Sequence, residues 1–481
     1  MVRGARVWQR VQRLQRLQRL QRLQRVTPAK LANWLRERLA RAARTLHWHV
    51  ARSYLSARES LGWTTGLPPG SLSASSLHGL GDRDFYTRKH RLFGPIFKLF
   101  WANRQLKVCV VGFPQARRLF TEHADALAPV SIDITTVVPK GFLRCMAGAE
   151  HVNYRRLLGT ALRADLVGAW SAELRTLLRA ELSELAATSL SPEGPHNRTT
   201  RAIDRFATSA LLAMFFGVVP THPEFEALQR AFGRLGPDAL VIPIGRAQVA
   251  AFDEIRAGLE LLLRSNVEGK NPAARETVLN RVAGMSAESL RNDPTVIGNI
   301  IYMLEMGRHD MTGLLRWLLK YLSDSPAFVE QLFRYGPGSA DGQELAKACV
   351  LETLRLDQAE ALNRRVTADV AFEGHTIPRD SHVTVLMRET HLDAAAFDDP
   401  QRFNPHRFVG RSYSADVYAP FGLGSHRCIA SDMVVQLGAL FVQELVSRFS
   451  WTVVADGPRH HGTYHWEPSP LFAVELRARG G

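Results

Sequence analysis

One of the chain's four cysteines sits where a thiolate would be held and tuned. The segment Pro420-Phe421-Gly422-Leu423-Gly424-Ser425-His426-Arg427-Cys428-Ile429-Ala430 leads into a helical run, Met433–Leu445. Glycines ahead of the sulfur permit a tight turn with close backbone approach. Backbone N–H groups, and the N-terminal end of the following helix, would stabilise a negative sulfur. Phe421, seven positions earlier, can cover it and keep water away. That arrangement suits a sulfur that ligates a metal.

Charged residues upstream fall at spacings that could support such a site. Glu352 and Arg355 lie at i and i+3, on one helical face, where they can meet as a charge-assisted pair. Alone this spacing means little, because it is common on solvated helices. Arg407 follows in Phe403-Asn404-Pro405-His406-Arg407-Phe408. His151 and Arg155 share a helical face. Asn363-Arg364-Arg365-Val366-Thr367-Ala368-Asp369 brings two more cations.

Together these segments resemble the cytochrome P-450 family. Phe421, Gly424, His426 and Cys428 match its haem-binding loop, F-x-x-G-x-[HR]-x-C-x-G, with Ala430 in place of the last glycine. Glu352 and Arg355 match E-x-x-R, and residues 403–408 match F-x-P-x-R-F. The resemblance covers residues 82–481 and is strongest from Cys349 to Leu445. It implies a mainly α fold with small β-sheets enclosing haem b (iron protoporphyrin IX). It implies Cys428 as the metal ligand, with Phe421 and Gly424 shaping its loop. His151, Arg155, Arg364 and His426 would meet the haem propionates, with Arg365 as the near alternative to Arg364. Glu352, Arg355 and Arg407 would hold the proximal structure and do no redox chemistry. The plain reading of Cys428 as a small buried hydrophobe is disfavoured by so many matches at once.

The oxygen-activating helix of the family carries [AG]-G-x-[DE]-T, an acid and an alcohol that relay protons. Here the stretch is Glu305-Met306-Gly307-Arg308-His309-Asp310-Met311-Thr312. One register makes Asp310 the acid and puts Met311 where the threonine belongs. The other keeps Gly307 as the glycine and puts His309 and Asp310 in place of the pair. The second is preferred, because it continues downstream without a gap, and neither places a threonine at the relay. Adjacent helical residues point about 100° apart, so His309 or Asp310 is expected to face the haem, and not both. Arg308 is a candidate for a substrate carboxylate, as in peroxide-using members of the family.

The leading expectation is therefore a monooxygenase that inserts one oxygen atom from O2 into a small organic substrate, with a place in secondary metabolism. Electrons would come from an external ferredoxin or flavodoxin system, since the chain has no flavin-binding motif. The alternative is non-standard haem-thiolate chemistry: peroxygenation, oxidative coupling, dehydration or isomerisation. A third reading is a non-enzymatic haem-binding or interaction protein. The segments around Val130–Arg144 and Phe216–Val249 would shape the pocket, and their composition names no substrate.

The elements that must position these residues are legible in outline. Apolar residues recur at helical spacing in Trp170–Ala187 and Ile297–Leu322. Strand patterns appear at Val370–Phe372, Val383–Leu386, Trp451–Val454 and Leu471–Leu476, with a turn at Ile377-Pro378-Arg379-Asp380. Of the 481 residues, 46% are hydrophobic, enough for a large core. The longest strongly apolar run, near Ala210–Val219, is too short to span a bilayer.

The net charge of +15 is unevenly spread. Residues 1–60 hold fourteen Arg and one Lys against Glu37 and Glu59, and the rest is nearly balanced, which argues against a nucleic-acid partner. This start repeats Gln-Arg-Leu between Gln9 and Arg25. It reads as a basic helix on an anionic membrane surface anchored by Trp8 and Trp34, as an organelle transit peptide, or as a solvated repeat expansion. Gly66 to Gly81 reads as a linker or surface loop. The expected division is a basic appendage and linker, 1–81, and a catalytic domain, 82–481. Four cysteines scattered without a pairing pattern and the lack of a secretory signal point to the cytoplasm, with peripheral membrane contact through residues 1–60 as a further expectation.

Overall fold

The computed structural model describes residues 66–71, 78–100, 106–130, 134–187, 195–236, 244–267, 276–285, 293–357, 361–462 and 465–479, with Ser53 and Ala57. The repeat with Trp8 and Trp34 lies outside the described residues.

Helices dominate. In chain order they are α1 (Phe85–Phe93), α2 (Phe113–Glu122), α3 (Gly148–Ala161), α4 (Asp165–Ala187), α5 (Pro195–Phe216), α6 (Phe225–Leu235), α7 (Arg246–Val267), α8 (Val278–Met285), α9 (Pro294–Ser323), α10 (Pro326–Tyr335), α11 (Ala340–Leu356), α12 (Met387–His391) and α13 (Ser431–Arg448). The strands that matter here are β1 (Gly70–Ser71), β2 (Ile96–Phe100), β3 (Leu106–Val110), β4 (Leu127–Pro129), β5 (Leu362–Val366), β6 (Val370–Phe372), β7 (His375–Ile377) and β8 (His382–Val385). A further pair, Phe449–Ala455 and Ala473–Ala478, is antiparallel.

α9 is the axis of the helical core. Asp293 caps its start, its carboxylate accepting the Thr295 N–H at 2.8 Å, and Pro294 sits at the first turn, where its missing N–H costs nothing. The helix is buried on nearly every side, among α5, α7, α11 and α13, and is mostly apolar apart from one charged face. Gly298 lets Val138 lie against it: a Cβ there would come within 2.7 Å of the valine Cγ2.

Six strands form the main sheet in the order β1-β2-β3-β8-β5-β4. β3 and β8 run parallel, with Val110 opposite Val385, and β5 pairs antiparallel with β8 and β4, so Arg364 faces Val383 and Pro129.

The stretch expected as a surface linker is partly built into this sheet. Gly70–Ser71 pairs with β2, and Leu67 is buried. Lys98 donates from its backbone N–H to the Pro69 carbonyl at 2.7 Å and from Nζ to the Pro68 carbonyl at 2.7 Å. Gly70, at φ 126°, passes so close that a Cβ would sit 2.2 Å from the Lys98 carbonyl oxygen. Glycine and proline here mark an edge strand in tight contact rather than a loop. Among the described residues no helix is long and apolar enough to cross a membrane.

Candidate active site

The Cys428 loop enters after Ala419 and reverses at Gly422 (φ 89°) and Gly424 (φ 65°), conformations that favour glycine. The Cys428 N–H donates to the Phe421 carbonyl at 2.8 Å, closing the loop on itself. Ala430 then caps α13. Cys428 is exposed, yet protein surrounds it, because its free surface opens into an internal cavity of about 280 Å³. Burial pushes the thiol pKa up; the Ala430 N–H, Arg427 and Arg155 pull it down, while Asp310 adds to the rise. A cationic group bound above the sulfur would reverse that balance.

The cavity has a basic edge. His151 on α3 and His426 on the loop stack with ring centroids 4.0 Å apart, and both line the cavity with Arg144, Arg155 and Arg427. Arg155 donates to the Arg427 carbonyl at 2.6 Å, tying α3 to the loop. Arg364 stands behind this edge, over the Phe120 ring at 5.0 Å and donating to the Asn363 carbonyl at 2.9 Å. Arg365 instead points outward toward Asp380. Burial lowers the pKa of both imidazoles. His426 is pushed down to about 3, with His151, Arg364, Arg155 and Arg144 adding their repulsion. His151 Nε2 and His426 Nδ1 are buried without a hydrogen-bond partner. Such an edge, with several cations and two orphaned ring nitrogens, suits a ligand that carries carboxylates. The donor set therefore fits a haem: a sulfur beneath, a broad apolar cavity, and cations where the propionates would lie.

Behind the loop, Glu352 and Arg355 on α11 form the expected pair in full burial, Nε to Oε2 at 2.6 Å and Nη2 to Oε1 at 2.8 Å. Arg407 joins at 3.3 Å, and the Asn404 N–H reaches the same carboxylate at 2.9 Å. Arg355 Nη1 donates to the carbonyls of His391 at 2.9 Å and Pro400 at 2.7 Å.

On the opposite wall α9 separates the two candidate relay residues. Met303, Met306, Gly307, Asp310, Met311 and Leu314 line the cavity. His309 does not. Its Nε2 lies 3.1 Å from Glu305 Oε1, on the far side of the helix. Arg308 is also turned away, donating to Glu305 at 3.0 Å and to Asp204 of α5 at 3.1 Å. The expectation that Arg308 receives a substrate carboxylate is therefore corrected: two protein carboxylates hold it. His309 is likewise removed from the candidate relay, for the 100° step between neighbours that gives Asp310 the cavity. The hydroxyl of Thr312 donates to Asp204 at 3.2 Å, and no Ser or Thr is among the described residues lining the cavity.

Several site residues belong to none of the sequence motifs. Arg144 sits in a short turn, Leu143–Cys145, positioned because Asn299 of α9 accepts the Leu143 N–H at 2.7 Å and donates to the Gly141 carbonyl at 3.2 Å. Six of the nine methionines (Met214, Met303, Met306, Met311, Met387 and Met433) line the cavity, although they come from four separate segments. Of the two segments expected to shape the pocket, the first contributes Phe142, Leu143 and Arg144; the second contributes no described residue to the lining.

The chain is similar to known proteins in sequence and in fold. The cytochrome P450 family profile matches residues 343–464, which span the Glu352–Arg355 pair and the Cys428 loop. The chain is 29% identical over 450 residues to abscisic acid 8'-hydroxylase CYP707A1 of Solanum lycopersicum, covering 85% of this chain and 90% of the relative. It is 25% identical over 430 residues to a putative cytochrome P450 138 of Mycobacterium tuberculosis, covering 82% and 92%. Its fold is similar to that of retinoic acid-bound cyanobacterial CYP120A1, with a TM-score of 0.70 at 20% identity over 86% of this chain and all of that one. The chain belongs to the cytochrome P450 superfamily of haem-thiolate monooxygenases.

Proposed function

We propose that this chain binds haem b through Cys428 and inserts one oxygen atom from O2 into a small, largely apolar substrate. The observation that carries this is that one cavity has the Cys428 sulfur, a cationic edge and the Asp310 carboxylate on its walls. A thiolate-bound haem supplies oxygen binding and an electron push that favours O–O cleavage. The remaining work falls to the protein. Arg144, Arg155, Arg364, His151 and His426 hold the propionates. Phe421 and Ile429 shield the sulfur from water, and Glu352, Arg355 and Arg407 fix the structure behind it. Asp310 is the proton donor on the oxygen side, in the position where the family places an alcohol. Leucine, methionine and phenylalanine side chains line the rest and exclude water from the substrate.

The names of two similar proteins mention abscisic acid and retinoic acid, and the apolar lining supports a substrate with comparable hydrocarbon character. Electrons come from an external ferredoxin or flavodoxin system. The basic appendage acts as a localiser in the cytoplasm at an anionic membrane surface, outside the catalytic unit. The test is the reduced, carbon monoxide-bound absorption spectrum: the strongly red-shifted band expected of wild type should be lost in Cys428→Ser. A mutant that keeps it would sink the assignment.

The second reading, peroxide-driven or otherwise non-standard chemistry, is favoured by one observation: no hydroxyl side chain lines the cavity among the described residues. Turnover of one substrate with a ferredoxin system and with peroxide separates the two.

A further inference from the structure

His391 belongs to none of the motifs above, and it is fully buried at the end of α12. Its carbonyl oxygen accepts Arg355 Nη1 at 2.9 Å. Its ring Nε2 accepts the backbone N–H of Ala419 at 3.1 Å. The ring packs edge-on against Phe113, centroids 5.0 Å apart, and tilts over Tyr418 at 5.3 Å.

The tautomer follows from this geometry. Burial, with Arg355 adjacent, presses the imidazole pKa down to about 3, so the ring is neutral. A neutral ring that accepts at Nε2 carries its proton on Nδ1. That Nδ1 is buried with no hydrogen-bond partner. A buried orphan donor is uncommon and costly. The fold tolerates it while keeping the acceptor aimed at Ala419.

Ala419 is where the sulfur-bearing loop begins. Pro420 has no N–H, so the Ala419 amide is the last backbone donor before Phe421. The Ala419 carbonyl accepts the Gly422 N–H at 3.0 Å, and the Phe421 carbonyl accepts the Cys428 N–H at 2.8 Å. A continuous path therefore runs from the Glu352–Arg355 pair through both ends of His391 to the loop that presents Cys428.

We propose that His391 is a positioning residue for the Cys428 sulfur: its Nε2 pins Ala419, and its carbonyl joins that pin to Arg355. This rests on the reading of Cys428 as the haem ligand in one arm of its test, and on the loop geometry alone in the other.

The test uses two substitutions in the full-length haem-loaded protein. His391→Phe keeps an aromatic ring between Phe113 and Tyr418 and removes the acceptor. His391→Gln keeps an acceptor near the Nε2 position and removes the ring. Amide exchange is followed by mass spectrometry on the peptide containing Ala419 to Cys428, together with the share of the reduced carbon monoxide complex in the red-shifted band. His391→Phe is expected to speed exchange in that peptide by about tenfold and to halve the red-shifted share, while His391→Gln stays near wild type. The opposite order, with Gln worse than Phe, would make the ring's packing its role and overturn the proposal. So would two silent variants, equal damage by both, or two variants that fail to fold. If wild type itself lacks the red-shifted band, the Cys428 reading fails, and the exchange arm still decides whether His391 holds the loop.

Discussion

Arg308 of α9 donates to Asp204 of α5 at 3.1 Å while its other nitrogens hold Glu305, a carboxylate with no exposed surface. Glu305, Arg308, His309 and Thr312 lie on one face of the helix, and the cavity residues Met303, Met306, Gly307 and Asp310 lie on another. The charged face is thus held toward α5 by Asp204 and lies away from the cavity.

Removing the middle of that cluster should cost far more than removing its rim. Arg308→Leu leaves Glu305 as a buried, weakly compensated charge, and a loss of about 3–5 kcal/mol is expected. Asp204→Ala, whose side chain is 40% exposed, should cost about 1 kcal/mol or less. Denaturant unfolding of both variants checks the ranking, and equal losses would contradict it.

The separation of His309 from Asp310 predicts different phenotypes for neighbours. Asp310→Asn removes the carboxyl proposed as proton donor from the cavity wall, and kcat should fall about 100-fold, the lower end for a lost general acid. His309→Gln should change kcat little, since its partner is Glu305 on the far face. Single-substrate turnover with saturating reductant measures both; a larger loss at position 309 would refute the assignment.

Glu352→Gln should disable the protein without touching the cavity. Its carboxylate receives Arg355, Arg407 and the Asn404 N–H, all in or near full burial. Neutralising it strands two guanidinium groups, at a cost of about 3–5 kcal/mol. Haem content after purification and the thermal midpoint should both fall.

The depressed pKa of His391 gives a pH dependence with a definite sign. Its ordinary value is 6.5 and its folded value about 3, set first by burial and then by Arg355, with Tyr418 the other titratable neighbour of the ring. The unfolded chain binds the proton more readily, so this contribution is fully present above pH 6.5 and is lost as pH falls toward 3. The loss approaches about 1.4 kcal/mol per pH unit. Urea midpoints at pH 8.0 and 5.5 should therefore differ more in wild type than in His391→Gln. Equal differences would remove His391 as the source.

Much of this protein is written locally. Loop glycines, an i,i+3 charge pair and a cysteine before a helix are short-range patterns, so Cys428, Glu352 with Arg355, and the long helices could all be read from the chain. α9 was expected over Ile297–Leu322 and spans Pro294–Ser323. The strand Val370–Phe372 falls where its alternation put it. The Gly66–Gly81 stretch misled because glycine marks both loops and close backbone approaches, and only the partner strand β2 tells them apart.

By itself the sequence determined the kind of site: a thiolate loop, its buried charge pair, a mainly helical body with small sheets, and an oxygen-side helix without the usual threonine. Only the tertiary structure decided which neighbour on that helix enters the cavity, that Arg308 faces a protein carboxylate, and that Arg144, six methionines and His391 converge from distant segments. The reason is physical. A helix can be rotated without changing its sequence pattern, and the rotation depends on what packs against it, here Asp204 of α5, 104 residues along the chain from the Arg308 that it holds.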